Sequence, residues 1–274
     1  MIISISRRCD IPRFQFDWFL ERLNAGFVDV ANPFNAAQVK RVSLAPGGGD
    51  EASVLVFWTR DPWHILAHEE ELTKRGFHFY VMVTVTGYPV ELEPGMPKAQ
   101  NICTAMKRLA LKIGPERVIW RYDPVFVSSI TDEGFHRRNF DELSQMLSGS
   151  VRRVIISLYD EYRGAKQRIE ALEKTGILQM GQHNAANLAD LLTSLAESAC
   201  AAGMEIQSCA ETESLESFGI KSGACIDAAL IRELWGLEFT GKDKNQRPAC
   251  LCCKSVDIGR YRSCQAGCRY CYAW

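Results

Sequence analysis

The residues best equipped for chemistry lie near the C-terminal end. Cys264-Gln-Ala-Gly-Cys268-Arg-Tyr-Cys271 spaces three thiols as CxxxCxxC, with an aromatic residue before the last. Three thiolates this close can each bind one iron of a [4Fe-4S] cubane and leave the fourth iron open. Gly267 lets the backbone wrap closely, and amides in such a loop can hydrogen-bond to sulfur. Upstream, Cys250, Cys252 and Cys253 offer further thiolates, so six of the eleven cysteines fall within 250–271. Cys250 or Cys252 is the best donor if the cluster has a fourth cysteine ligand. A structural zinc ion is the competing reading. Zinc sites usually pair two CxxC-like knuckles, however, and CxC with CxxxCxxC is a different arrangement. Cys103 and Cys200, each inside a helical pattern, read as small buried hydrophobes.

A second set of polar residues follows apolar runs. Arg7, Arg8, Cys9 and Asp10 follow the first run, Thr59, Arg60 and Asp61 the second, and Thr86 the third. Arg121, Tyr122 and Asp123 end the fourth, Tyr159 and Asp160 the fifth, and Cys209, Ala210 and Glu211 the sixth. Each Asp could simply cap the next helix. The arginines demand more, because a guanidinium at a strand end needs a carboxylate or a bound anion. Arg7, Arg8 and Arg60 are therefore candidates to hold an anionic cofactor or ligand, and Arg121, Asp123 and Glu211 to act on a substrate. The five histidines form no HxxxE, HxH or HExxH pattern.

What positions these residues is a repeated strand, polar cluster and amphipathic helix, the signature of parallel βα units. Strands are expected at 2–6, 54–58, 79–85, 118–122, 154–159 and 204–208. Helices are expected at 16–23, 63–74, 98–113, 135–147, 162–174, 185–202 and 226–235, several with a glycine just beyond them. The fold class is α/β, a complete or partial TIM-like (β/α) barrel, whose active site would lie at the carboxyl ends of the strands. Residues 27–44 read as a hairpin around Asn32-Pro33-Phe34-Asn35. The chain divides into a barrel-like domain, 1–236, and a cysteine-rich tail, 237–274, folded over the rim. The tail has no periodicity able to bury a face, so a bound metal centre is expected to order it.

Composition narrows the class. With 274 residues and 47% hydrophobic content the chain builds a sizeable core. Net charge is −1, so nucleic acid is not indicated as a partner. No run of about 18 apolar residues or secretion-type leader appears, so no membrane association and a cytoplasmic location are expected. Thiols stay reduced there, which favours metal binding over a disulfide framework.

At these residues the sequence resembles known families. CxxxCxYCY is similar to the cluster motif of the radical S-adenosylmethionine (SAM) enzymes, including the spore photoproduct lyase branch. That resemblance implies a [4Fe-4S] cluster on Cys264, Cys268 and Cys271, with SAM chelating the open iron. It also implies a low-potential electron donor such as a flavodoxin or ferredoxin, and a substrate that no motif identifies. In those enzymes the motif follows the first strand, whereas here it lies in the tail, and no GGE-like stretch follows the second strand. The whole chain resembles the bacterial family DUF1848, through ISRRCDIP (5–12), NPFN (32–35), FWTRDP (57–62), VIWRYDP (118–124), CAE (209–211) and the cysteine pattern of 250–273.

Overall fold

Consecutive apolar residues without polar alternation make strands that are buried on both faces, as parallel sheets require. Ile2–Ile5 (β1) and Val54–Thr59 (β4) are buried throughout, and so is His78–Thr84 (β5) beyond His78. With Val118–Val125 (β6), Arg153–Leu158 (β7), Glu205–Cys209 (β8), Lys221–Gly223 (β9) and Val256–Asp257 (β10) they form one eight-stranded sheet. The computed structural model describes residues 1–273 except 34, 48–50, 182–184 and 244–245.

Strand order is β10-β1-β4-β5-β6-β7-β8-β9, and every ladder is parallel. β9 and β10 share no ladder, so the sheet is not closed. Phe27–Asn32 (β2) and Asn35–Ser43 (β3) form the expected hairpin as a separate antiparallel pair. Phe34, in its expected turn, lies outside the described residues.

Successive strand residues point to opposite faces. One face carries Ile3, Phe57, Val81, Trp120 and Ile156, and helices cover it. These are Phe16–Ala25 (α1), Trp63–Lys74 (α2), Ala99–Ile113 (α3), Glu133–Leu147 (α4) and Ala185–Ala201 (α5). A single turn, Ile11–Phe14, precedes α1, with Asp10 as its side-chain cap. The other face carries Ile2, Val56, Trp58, Met82, Ile119 and Ile155. A short helix, Ala228–Trp235 (α6), and Cys250, Cys252 and Cys253 cover it. Asp227 caps α6 through the amides of Ala229 and Leu230 and also pairs with Arg153 at 2.7 Å. Leu230 and Ile231 face the sheet, each contributing about 1.5–3 kcal/mol by burial. The helix Arg163–Lys174 packs with the tail around Phe126 and Tyr270.

The tail has no periodicity able to bury a face, yet Val256 and Asp257 pair with Ile3 and Ser4 and extend the sheet beyond β1. Asp257 explains why. Its carboxylate accepts hydrogen bonds from Ser4, Ser6 and the amides of Arg7 and Gly259, so side-chain bonds hold a strand too short to hold itself. Cys103 is buried as expected, whereas Cys200 is exposed. The inward stripe of its helix is Leu191, Leu192, Leu195 and Ala199, which turns the next residue toward solvent.

Candidate functional site

Period-2 alternation along β6 puts Ile119, Arg121 and Asp123 on the face opposite Trp120 and Tyr122. Arg121 therefore lies midway along its strand, on the face that α6 and the 250–253 segment cover. Its guanidinium pairs with Asp123 at 2.5 Å and lies 4.8 Å above the Trp58 ring. Asp123 also accepts the Ser157 hydroxyl from β7, so it orients Arg121 rather than capping a helix. Burial works against the charge on Arg121, but Asp123, Cys225, Cys209 and Tyr272 outweigh it and raise its pKa. Arg121 Nε and Trp58 Nε1 are both buried with no acceptor among the described residues. Two adjacent unpaired donors are costly unless something accepts from them.

Arg60, at the end of β4, is built into a second network. It pairs with Glu93 at 2.7 Å and donates to Thr86 and Tyr270. Tyr270 and Thr86 also donate to Glu93, whose side chain is only 3% exposed. Burial again opposes the charge, and Cys268, Glu93 and Tyr270 restore it, raising the pKa of Arg60. Arg60 thus touches the tail through Tyr270 and faces the Cys268 thiol.

The tail lies over a rim formed by strand ends, where Tyr270 meets Arg60 and Tyr272 meets Arg7. Cys264, Cys268 and Cys271 lie within electrostatic reach of one another, and Arg60 acts on both Cys268 and Cys271. Burial pushes the Cys268 thiol up to about 12, so any metal that binds must displace a tightly held proton. Gly95 sits against the loop between Cys264 and Cys268, where a Cβ would stand 2.6 Å from the Ala266 carbonyl oxygen. Arg269 N donates to Leu92 O at 2.9 Å, Arg168 donates to the carbonyls of Arg269 and Cys271, and Ala273 N donates to Cys271 Sγ at 3.4 Å. Tyr272 bridges the rim, donating to Arg7 O at 2.7 Å and lying in the field of Cys271 and Arg121.

The remaining expected residues divide. Arg7 is at the rim, held by Asp243, Asp257 and Ser255, and faces Cys252 and Tyr272. Arg8 turns away, donating to Gly259 O and lying 5.2 Å from the Tyr261 ring centre. Glu211 accepts from Leu158 N at 3.0 Å, and burial raises its pKa. Asp160 pairs with Arg247 of the tail.

Cys250 and Cys252 pack in a different cluster from the tail trio, on the inner face with Cys225 and beside Cys209. The Cys9 thiol, raised chiefly by burial, lies within electrostatic reach of Cys264. Among the described residues, no three His, Cys, Asp or Glu side chains stand in the arrangement of a formed metal-ion site. The sequence reading missed Glu93 and Trp58, and took Tyr270 only as the aromatic residue of the cysteine motif. Glu93 lies in a loop with no periodicity or motif, and Trp58 was taken only as the end of a strand.

A family model, the domain of unknown function DUF1848, matches residues 2–273, and the chain belongs to that family. No curated protein matches the chain. No helix among the described residues is long and apolar enough to cross a membrane.

Proposed function

Starting from that membership and the geometry of the rim, we propose that the chain is an iron-sulfur enzyme of radical-SAM-like type, with Cys264, Cys268 and Cys271 holding a [4Fe-4S] cluster. One observation carries the reading. The three tail thiols lie within electrostatic reach of one another beside Arg60, and Tyr272 links them to Arg121, whose buried Nε has no acceptor among the described residues. The sheet is read with it as a barrel opened between β9 and β10, since strand order follows the chain and β10 returns to β1. The donor set fits the cluster: three cysteines on one glycine-containing turn, an N–H···S bond at Cys271, and a guanidinium beside Cys268.

When bound, a cluster with one open iron supplies the electron that cleaves SAM. The protein's own residues do the positioning. Arg121 and Trp58 donate to an anionic group of SAM or substrate, with Asp123 and Ser157 fixing the guanidinium. Arg60, fixed by Glu93, offsets thiolate charge. Tyr272 and Arg7 close the rim, and Glu211 lies at its β8 side. The electron donor would be a flavodoxin or ferredoxin and the substrate a small molecule.

A second reading, a redox or sensing cluster with four cysteine ligands, is favoured by the Cys9 thiol in the field of Cys264. Electron paramagnetic resonance of the anaerobically reconstituted, reduced chain separates the two. The enzyme reading requires the cluster signal to change when SAM is added. A signal indifferent to SAM, together with loss of cluster in Cys9→Ser, establishes the four-ligand reading instead.

A further inference from the structure

The tail trio leaves a second group of thiols unused. Cys209 ends β8, Cys225 precedes α6, and Cys250 and Cys252 lie in the tail, yet the fold brings all four together on the inner face. Cys209 and Cys225 approach to 3.3 Å between sulfurs. Cys252 packs in the same buried cluster as Cys225 and Cys250 and lies within electrostatic reach of both. Three separate stretches of chain therefore deliver one connected group of sulfurs.

The surroundings are built for it. Ile226 N donates to Cys252 Sγ at 3.3 Å, and Cys253 N donates to Ile226 O at 3.0 Å, locking the two cysteine turns side by side. Tyr80 donates to Cys225 O at 2.7 Å from the centre of the sheet. Arg121 faces Cys209 and Cys225, while Arg7 faces Cys252. Two guanidiniums beside four thiols match the net charge of −2 that four thiolates around a divalent ion would carry.

We propose that Cys209, Cys225, Cys250 and Cys252 form a second, structural metal site that holds a single zinc ion. The one close pair, Cys209 and Cys225, favours a single ion over a second cubane. Zinc-sulfur bonds of about 2.3 Å set tetrahedral sulfur-sulfur edges of about 3.8 Å, close to the 3.3 Å observed between Cys209 and Cys225. The thiols are in contact rather than spread around a centre, so binding requires them to rotate outward around the ion. Four thiols lose four protons as four zinc-sulfur bonds form, with no oxidant or reductant involved. Such a site ties 250–253 to the ends of β8 and α6, which a segment without its own core requires.

The full chain, purified anaerobically, is compared with Cys209→Ser/Cys225→Ser and with Cys264→Ser/Cys268→Ser/Cys271→Ser after dialysis against a chelator. The tail variant should keep one zinc per chain, while Cys209→Ser/Cys225→Ser loses it at least tenfold. Zinc-edge X-ray absorption of the tail variant should show four sulfurs at about 2.3 Å. That measurement decides the matter alone if Cys209→Ser/Cys225→Ser does not fold. A tail variant without zinc, zinc bound by nitrogen or oxygen, or a Cys209–Cys225 disulfide in place of the ion overturns the assignment.

Discussion

Replacing Arg60 with Met should destabilise the chain far more than loss of an ordinary ion pair. The guanidinium is 2.7 Å from Glu93, and the two side chains are 13% and 3% exposed. Removing it leaves a buried carboxylate supported, among the described residues, by the Thr86 and Tyr270 hydroxyls. Breaking one side of a buried pair costs about 3–5 kcal/mol, against about 0–1 kcal/mol at an exposed surface. At about 2–4 °C per kcal/mol for a chain of this size class, Tm should fall by roughly 6–20 °C. Urea unfolding of chelated chain measures the loss independently of any metal. A cycle with Glu93→Gln should give a coupling of about 2–3 kcal/mol, near the upper end for contacting residues. A loss under about 1 kcal/mol for Arg60→Met would show that Glu93 is well solvated, and would refute the reasoning.

Gly95→Ala places a Cβ 2.6 Å from the Ala266 carbonyl. It should cost about 1–3 kcal/mol by overpacking and lower iron retention after reconstitution, both read by unfolding and iron analysis. Asp10 supplies a pH dependence. Burial raises its carboxyl to about 6 from 3.8, against hydrogen bonds from Arg60 N, Thr59 and Arg13 N. An acid raised in the folded state binds its proton more tightly there, so the stability it adds is full below about 4 and is lost as pH climbs to about 6. Asp10→Asn should remove up to about 3 kcal/mol of that decline, measured by urea unfolding from pH 4 to 7. Arg121→Lys keeps the charge but loses the planar fork over Trp58. SAM binding by calorimetry should weaken at least tenfold while iron content stays unchanged.

The central strands were legible because VLVFWT and the apolar run of β5 can only be buried on both faces. β9 and β10 were not, since Lys221–Gly223 and Val256–Asp257 are too short for any periodicity, and Asp257 is held by side-chain bonds from residues some 250 positions away. The same distance hid the division of the cysteines. Cys250 and Cys252 stand close to Cys264 along the chain, so spacing grouped them with the tail, whereas tertiary packing brings them to Cys209 and Cys225. Arg60, Arg121 and Asp123 were identifiable because strand-end arginines need partners. Glu93, the buried partner of Arg60, carries no local signal, and Tyr270 stands out only as the aromatic residue of the cysteine motif.

The most direct measurement is iron and acid-labile sulfide in anaerobically reconstituted chain, compared with Cys264→Ala/Cys268→Ala/Cys271→Ala. About four irons and four sulfides per chain, lost in the triple variant, are expected from a [4Fe-4S] cluster on these ligands. Wild-type chain without sulfide, or sulfide retained by the triple variant, would contradict it.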